Sequence, residues 1–187
     1  MLPAHNSLAP LPPAPRLVLD TNVVLDWLVF GDPRCCAVID AIKARQVQWL
    51  ATEAMRDELA SVLARPFRSG RTVDEDAVFS AWQQWATSVD APGAASLARH
   101  LRCTDPDDQM FIDLAVAIGA RWLLTRDRAL LALARRARAF GVAVLRPDDW
   151  QLDDRTPQFG VLKDKLAVAA DFDSPLPDDV LAGFEGR

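Results

Sequence analysis

Short apolar runs alternating with helical patterns constrain the fold of this chain more than any other feature. Strand signals at Leu17–Asp20, Val47–Ala51, Trp122–Thr125 and Val142–Leu145 are separated by helical periodicity near residues 22–30, 34–45, 53–64, 74–88, 107–118 and 128–139. A run such as Leu17-Val18-Leu19 lacks polar alternation, which suits a strand covered on both faces, and strands separated by helices suit parallel pairing through crossovers. The pattern predicts an α/β fold around a mainly parallel sheet. Gly119 and Gly141 fall where helix C-caps are expected, just before the last two strands.

The 187 residues, half of them hydrophobic, can bury a core of their own. Residues 1–15 hold five prolines and show no periodicity, so they are expected to form a disordered leader. The folded domain is expected over 16–150, with 151–187 a partly disordered acidic extension. Residues 148–187 carry 4 basic and 10 acidic side chains, whereas 1–147 carry 17 and 16, so the excess of acid lies at the C-terminal end. No run approaches the roughly 18–20 apolar residues of a membrane span, and no secretion signal is present. A cytoplasmic location is expected. Cys35, Cys36 and Cys103 have no zinc-ligand spacing and are expected to be buried or neutral thiols.

Four acids occupy strand ends or inward helix faces. Asp20 closes the run Leu17-Val18-Leu19 at the rim of a buried strand, where ligands bind in open α/β sheets; its structural alternative is that Asp20 or Asn22 caps the next helix. Glu58 shares a helical face with Met55, Leu59 and Val62 and points inward, whereas Glu53 and Asp57 point to solvent. Thr104-Asp105-Pro106-Asp107-Asp108 opens a helix whose apolar face holds Phe111, Leu114, Ala115 and Ile118. Capping by Asp105 and the helix dipole already account for those acids, and the helical wheel does not choose between Asp107 and Asp108. Asp127 follows its strand as Asp20 does, again with capping as the alternative.

Considered together, these placements converge on one sheet edge. Carboxylates gathered in a low-dielectric cleft must take up protons or bind cations, and oxygen donors suit Mg²⁺ or Mn²⁺. No serine or cysteine nucleophile with a base competes, and there is no glycine-rich phosphate loop. Two arginine groups are candidates for phosphate contact: Arg65, Arg68 and Arg71, and Arg121, Arg126, Arg128, Arg135, Arg136 and Arg138. Val78, Trp82, Trp85 and Val89 recur at helical spacing and predict a core or dimer stripe, preferred here to base stacking.

Four short segments carry a resemblance to a known family: Leu19-Asp20-Thr21-Asn22-Val23, Asp57-Glu58-Leu59 with Val62 to Phe67, Asp105-Pro106-Asp107-Asp108 running on to Ala115, and Leu124-Thr125-Arg126-Asp127 with Leu130-Leu131. In this order and spacing the chain resembles the PIN-domain nucleases over residues 16–150, specifically the bacterial branch described as toxin components of toxin-antitoxin pairs. The resemblance implies a three-layer α/β/α sandwich and a Mg²⁺- or Mn²⁺-dependent site that cleaves single-stranded RNA. It assigns the metal-binding and catalytic acids to Asp20, Glu58, Asp108 and Asp127, selecting Asp108 over Asp107, with Asn22, Thr125 and Asp105 in support. Arg126, Arg128, Arg65 and Arg68 are the expected RNA contacts, and Arg126 departs from the small residue expected at its position. An antitoxin and a second copy of the chain are the expected protein partners. Two rivals are a non-catalytic PIN-like module that binds RNA or protein, and a phosphatase with Asp20 as nucleophile. The phosphatase is weakened because Asn22 stands where a second aspartate is needed.

Overall fold

The computed structural model describes residues 13–66, 72–91 and 101–152. Strand β1 (Arg16–Leu19) leads through Asp20 into α1 (Thr21–Leu25), a π-helical turn (Asp26–Phe30), a 3₁₀ turn (Pro33–Cys35) and α2 (Cys36–Lys43). Then come β2 (Gln48–Ala51), α3 (Glu53–Leu63), α4 (Glu75–Trp85) and β3 (Ala86–Ser88), followed by α5 (Gln109–Ala117), β4 (Trp122–Leu124), α6 (Arg128–Leu131), α7 (Ala134–Ala137) and β5 (Ala143–Leu145).

The five strands form one parallel sheet in the order β3-β2-β1-β4-β5. From β1 the chain steps outward to β2 and β3, then returns to β4 on the other side of β1 and steps outward to β5. Right-handed crossovers place α2, α3 and α4 on one face and α5, α6 and α7 on the other. The fold is a three-layer α/β/α sandwich, and its topological switch lies between β1 and β4. At such a switch the crossovers diverge to opposite faces, leaving a crevice at the C-terminal ends of the two strands.

Burial matches the apolar runs that specify the strands. Leu17, Val18 and Leu19 of β1 and Leu123 and Leu124 of β4 are at most 1% exposed, as a sheet covered on both faces requires. Trp49 stands edge-on to Trp82 at 4.8 Å between ring centroids and 5.7 Å from Trp27, so the tryptophan stripe of α4 packs into the core. Trp82 and Val78 are buried, with Trp85 and Val89 partly so. Gly119 takes φ +61° after α5, and the Ala120 N–H reaches back to Ala115 O at 2.8 Å, a Schellman closure. Gly141 takes φ +79° before β5.

The structure differs from the sequence expectations in several places; the helix expected at 22–30, for one, is divided into α1 and the π-helical turn. The helical pattern at 74–88 ends at Trp85, and Ala86–Ser88 pairs with β2 as an edge strand. Helical periodicity continued through this segment because Trp85 and Val89 face the core in either conformation. The helix expected at 128–139 is divided into α6, α7 and a 3₁₀ turn at Arg138–Phe140. The helix expected from residue 107 starts at Gln109, preceded by a turn closed by a bond from Gln109 N–H to Pro106 O at 3.2 Å. Cys35 is buried, Cys103 partly buried and Cys36 exposed. The expectations for the leader at 1–12 and the extension after Leu152 lie outside the described residues, as does Arg68.

Candidate functional site

Asp20 and Thr125 sit at the C-terminal ends of β1 and β4, the two strands that flank the switch. The ladder continues past both strands, with Asp20 N–H bonded to Leu124 O at 3.0 Å and Thr125 N–H to Leu145 O at 2.9 Å, so the two residues are held by sheet geometry. Asp20 is 3% exposed and Thr125 is fully buried. The Thr125 hydroxyl donates to Asp20 Oδ2 at 2.5 Å, and the Asn22 side-chain amide donates to the same oxygen. Asp20 occupies the N-cap position of α1 but makes no side-chain cap. The capping alternative is therefore not realised there. Burial pushes its carboxyl up to about 6, against the opposing effect of the hydrogen bonds from Thr125 and Asn22, and the nearby Asp127 carboxylate adds to the rise.

Asp127 does cap its helix. Its Oδ1 accepts from Ala129 N–H at 2.6 Å and Leu130 N–H at 3.2 Å, which leaves Oδ2 outside the cap. The Asp127 N–H in turn donates to Thr125 Oγ1 at 2.8 Å. One hydroxyl thus links the Asp20 side chain to the Asp127 backbone.

Glu58 reaches the cluster from the α3 side. It is partly buried, while Asp57 and Glu53 are exposed, as the periodicity implied. The Thr21 hydroxyl donates to Glu58 Oε2 at 2.9 Å. Burial raises the Glu58 carboxyl pKa, the Thr21 bond lowers it, and the charges of Asp20, Asp107 and Asp105 raise it further. Thr21 was not singled out from sequence. Its signal was its place beside Asp20 in the first turn of α1, where a hydroxyl can point across to the neighbouring helix.

Asp108 precedes the first turn of α5 and makes no cap bond. It is partly buried, whereas Asp107 and Asp105 are exposed. Burial pushes its carboxyl up to about 7, and Asp20, Asp127, Asp105 and Glu58 all add repulsion. Asp105 closes a local turn by accepting from Asp107 N–H at 3.0 Å. Gln109, also unforeseen, clamps the preceding loop: its side chain accepts from Cys103 N–H at 2.8 Å and donates to Leu101 O at 3.1 Å.

Asp108 thus lies within electrostatic range of Asp20, Glu58, Asp105 and Asp127. Among the described residues no three acidic, thiol or imidazole side chains are drawn close enough to form a ready-made cation cage. The donor set nevertheless fits a hard divalent cation in type, because it is all oxygen, and in charge, because it holds negative charge raised in energy by burial. An open cleft of about 590 Å³ borders the cluster, lined by Asp105, Pro106, Asp127, Arg128 and Ala129 among others.

The four arginines expected to contact RNA are placed differently from one another. Arg128 is exposed on the cleft wall, and Arg65 is exposed at the end of α3. Arg126 is partly buried, with its guanidinium on Asp26 at 2.9 Å and Asp32 at 3.0 Å. Its backbone N–H donates to Asn22 Oδ1 at 3.1 Å.

The fold and site together define a parallel α/β/α sandwich with acids at its switch point. The PIN domain family model matches residues 16–129, more than half of the chain, and the chain belongs to the PIN domain family. Among solved structures the chain is similar to VapBC2 from Rickettsia felis bound to a DNA fragment from its promoter. The sequences are 13% identical, the match covers 69% of this chain and 96% of that one, and the TM-score is 0.48. No curated protein matches the sequence at a significant level.

Proposed function

We propose that the chain is a metal-dependent endoribonuclease that cleaves single-stranded RNA, acting in the cytoplasm as the toxin of a toxin-antitoxin pair. The observation that carries the proposal is the convergence of Asp20, Glu58, Asp108 and Asp127 toward the crevice between β1 and β4, where burial and mutual repulsion raise the carboxyls of Asp20, Glu58 and Asp108. Membership of the PIN domain family supports nuclease chemistry.

Asp20, Glu58, Asp108 and Asp127 would hold Mg²⁺ or Mn²⁺, with Asp105 at the margin. A bound divalent ion supplies a Lewis acid for the phosphodiester and lowers the pKa of a coordinated water. The remaining work belongs to the protein. Thr125 and Asn22 fix one Asp20 oxygen by direct donation, and Thr21 fixes one Glu58 oxygen, so both acids are oriented by the protein's own hydrogen bonds. The helix bonds to Asp127 Oδ1 orient that carboxylate in the same way. Asp108, whose carboxyl is pushed up to about 7, is the site acid that most readily holds a proton near neutral pH. Arg128, exposed on the cleft wall, would be the residue to meet an RNA phosphate.

Calorimetric titration with Mn²⁺ tests the proposal against a non-catalytic PIN-like module. The proposal expects saturable Mn²⁺ binding that Asp108→Asn weakens at least tenfold, with metal-dependent RNA cleavage lost in parallel. RNA binding without Mn²⁺ binding or cleavage would favour the module.

A further inference from the structure

We infer that Arg126 is a positioning residue, whose guanidinium, held between Asp26 and Asp32, pins the turn carrying Thr125 and Asp127 against the segment that leaves Asp20. This inference rests on the cation-site proposal above. Thr125 and Asp127 flank Arg126 in the loop between β4 and α6. Asp26 opens the π-helical turn that directly continues α1, and Asp32 follows the turn. The side chain of Arg126 therefore joins two segments that are remote in sequence, and both emerge from strands flanking the switch.

The contacts form one connected set. Arg126 Nε lies 2.9 Å from Asp26 Oδ2, and Nη2 donates to Asp32 Oδ2 at 3.0 Å. Arg34 holds the same Asp32 oxygen at 2.6 Å. On the other side, the Arg126 N–H donates to Asn22 Oδ1, which turns the Asn22 NH₂ toward Asp20. Asn22 is thus oriented by the same residue whose side chain is clamped, and Asp20, Asn22 and Asp127 share one support.

Charge and burial argue against a phosphate contact by this guanidinium. Arg126 and Arg34 face Asp26 and Asp32, a balanced set, and the Arg126 side chain is 24% exposed against 16% and 12% for the two aspartates. Moving its Nε and Nη2 edge onto a phosphate would take Arg126 off both carboxylates and strand partly buried negative charge. Asp32 is held well below the ordinary carboxylate range, chiefly by its hydrogen bonds with Arg34, with Arg126 contributing.

The test uses the full-length chain and two readouts, Mn²⁺ affinity by calorimetry and kcat and KM on a single-stranded RNA oligonucleotide. Arg126→Ala is expected to weaken Mn²⁺ binding about tenfold and to lower kcat, with KM changed less than twofold. The double substitution of Asp26→Asn with Asp32→Asn should reproduce this, and combining all three should add nothing. Arg126→Lys, which keeps the charge but lacks the fork needed for two carboxylates, should fall between. The double aspartate variant carries the test if Arg126→Ala fails to fold. A raised KM in Arg126→Ala with unchanged Mn²⁺ affinity, or wild-type behaviour of the double aspartate variant, would overturn the inference alone. Wild-type protein that binds no Mn²⁺ would overturn the cation-site proposal and this inference with it.

Discussion

The Thr125 hydroxyl donates to Asp20 Oδ2 at 2.5 Å and bridges the ends of two neighbouring parallel strands. Because Thr125 Oγ1 also accepts from the Asp127 N–H at 2.8 Å, a single buried hydroxyl sets the side chain of one site acid and the backbone of another. A hydroxyl can donate one bond and accept another, and no apolar isostere can do either.

Thr125→Val is therefore expected to destabilise the protein by about 1–3 kcal/mol, the cost of leaving a buried donor and acceptor unpaired. RNA cleavage should fall roughly 10–100-fold through the loosened acid. Thr125→Ser, which keeps the hydroxyl, should recover most of both losses. Urea unfolding and cleavage rates on the same preparations check this, and equal stability of the valine variant would contradict it.

The raised carboxyls make stability depend on pH with a definite sign. Asp20 and Asp108 bind protons more tightly in the folded state than in the unfolded chain, where both titrate near 3.8. Their contribution is thus favourable to folding at low pH and is lost as pH rises from about 4 to about 6 for Asp20 and to about 7 for Asp108. Asp108→Asn removes the penalty and should stabilise the metal-free protein at pH 8 by about 1–2 kcal/mol, allowing for solvent screening of a half-buried group. Thermal unfolding with a chelator at pH 5 and pH 8 measures it. The gain should be clearly smaller at pH 5, where only the first part of that window has been crossed, and a gain of equal size at pH 5 would argue for a cause other than ionisation.

Asp107 and Asp108 are adjacent and chemically identical, and both carry charge within range of Glu58, yet Asp107 is exposed whereas Asp108 is partly buried. Asp107→Asn is expected to leave RNA cleavage within about threefold of wild type, because an exposed charge at this distance is screened. Asp108→Asn should lose cleavage by at least about a hundredfold. Parallel rate measurements on the two variants decide it, and equal effects would reject the distinction.

The sheet was legible in sequence because its strands are uninterrupted apolar runs, and the glycine caps at Gly119 and Gly141 marked two of its boundaries. Edge strand β3 was not, since Ala86-Thr87-Ser88 is short and half polar and continues a helical stripe that ends at Trp85. Periodicity turned Glu58 inward and Asp57 outward, and both lie so. Capping was the open alternative for Asp20 and Asp127, and the two acids divide on it: Asp127 caps α6 and Asp20 caps nothing. Sequence spacing could not reveal this, because it does not encode which acceptors a side chain meets across the sheet. Asp26, Asp32 and Thr21 were missed for the same reason, as their partners lie 94, 37 and more residues away or face them only after the crossovers form.

Cleavage of a single-stranded RNA oligonucleotide by purified wild-type and Asp20→Asn protein, each with Mn²⁺ and with a chelator, tests the central claim most directly. Wild-type protein should cut only with Mn²⁺, and Asp20→Asn should not cut under either condition while unfolding cooperatively as the wild type does. Cleavage by wild type in the presence of chelator, or undiminished Mn²⁺-dependent cleavage by Asp20→Asn, would contradict a nuclease site built on the acids between β1 and β4.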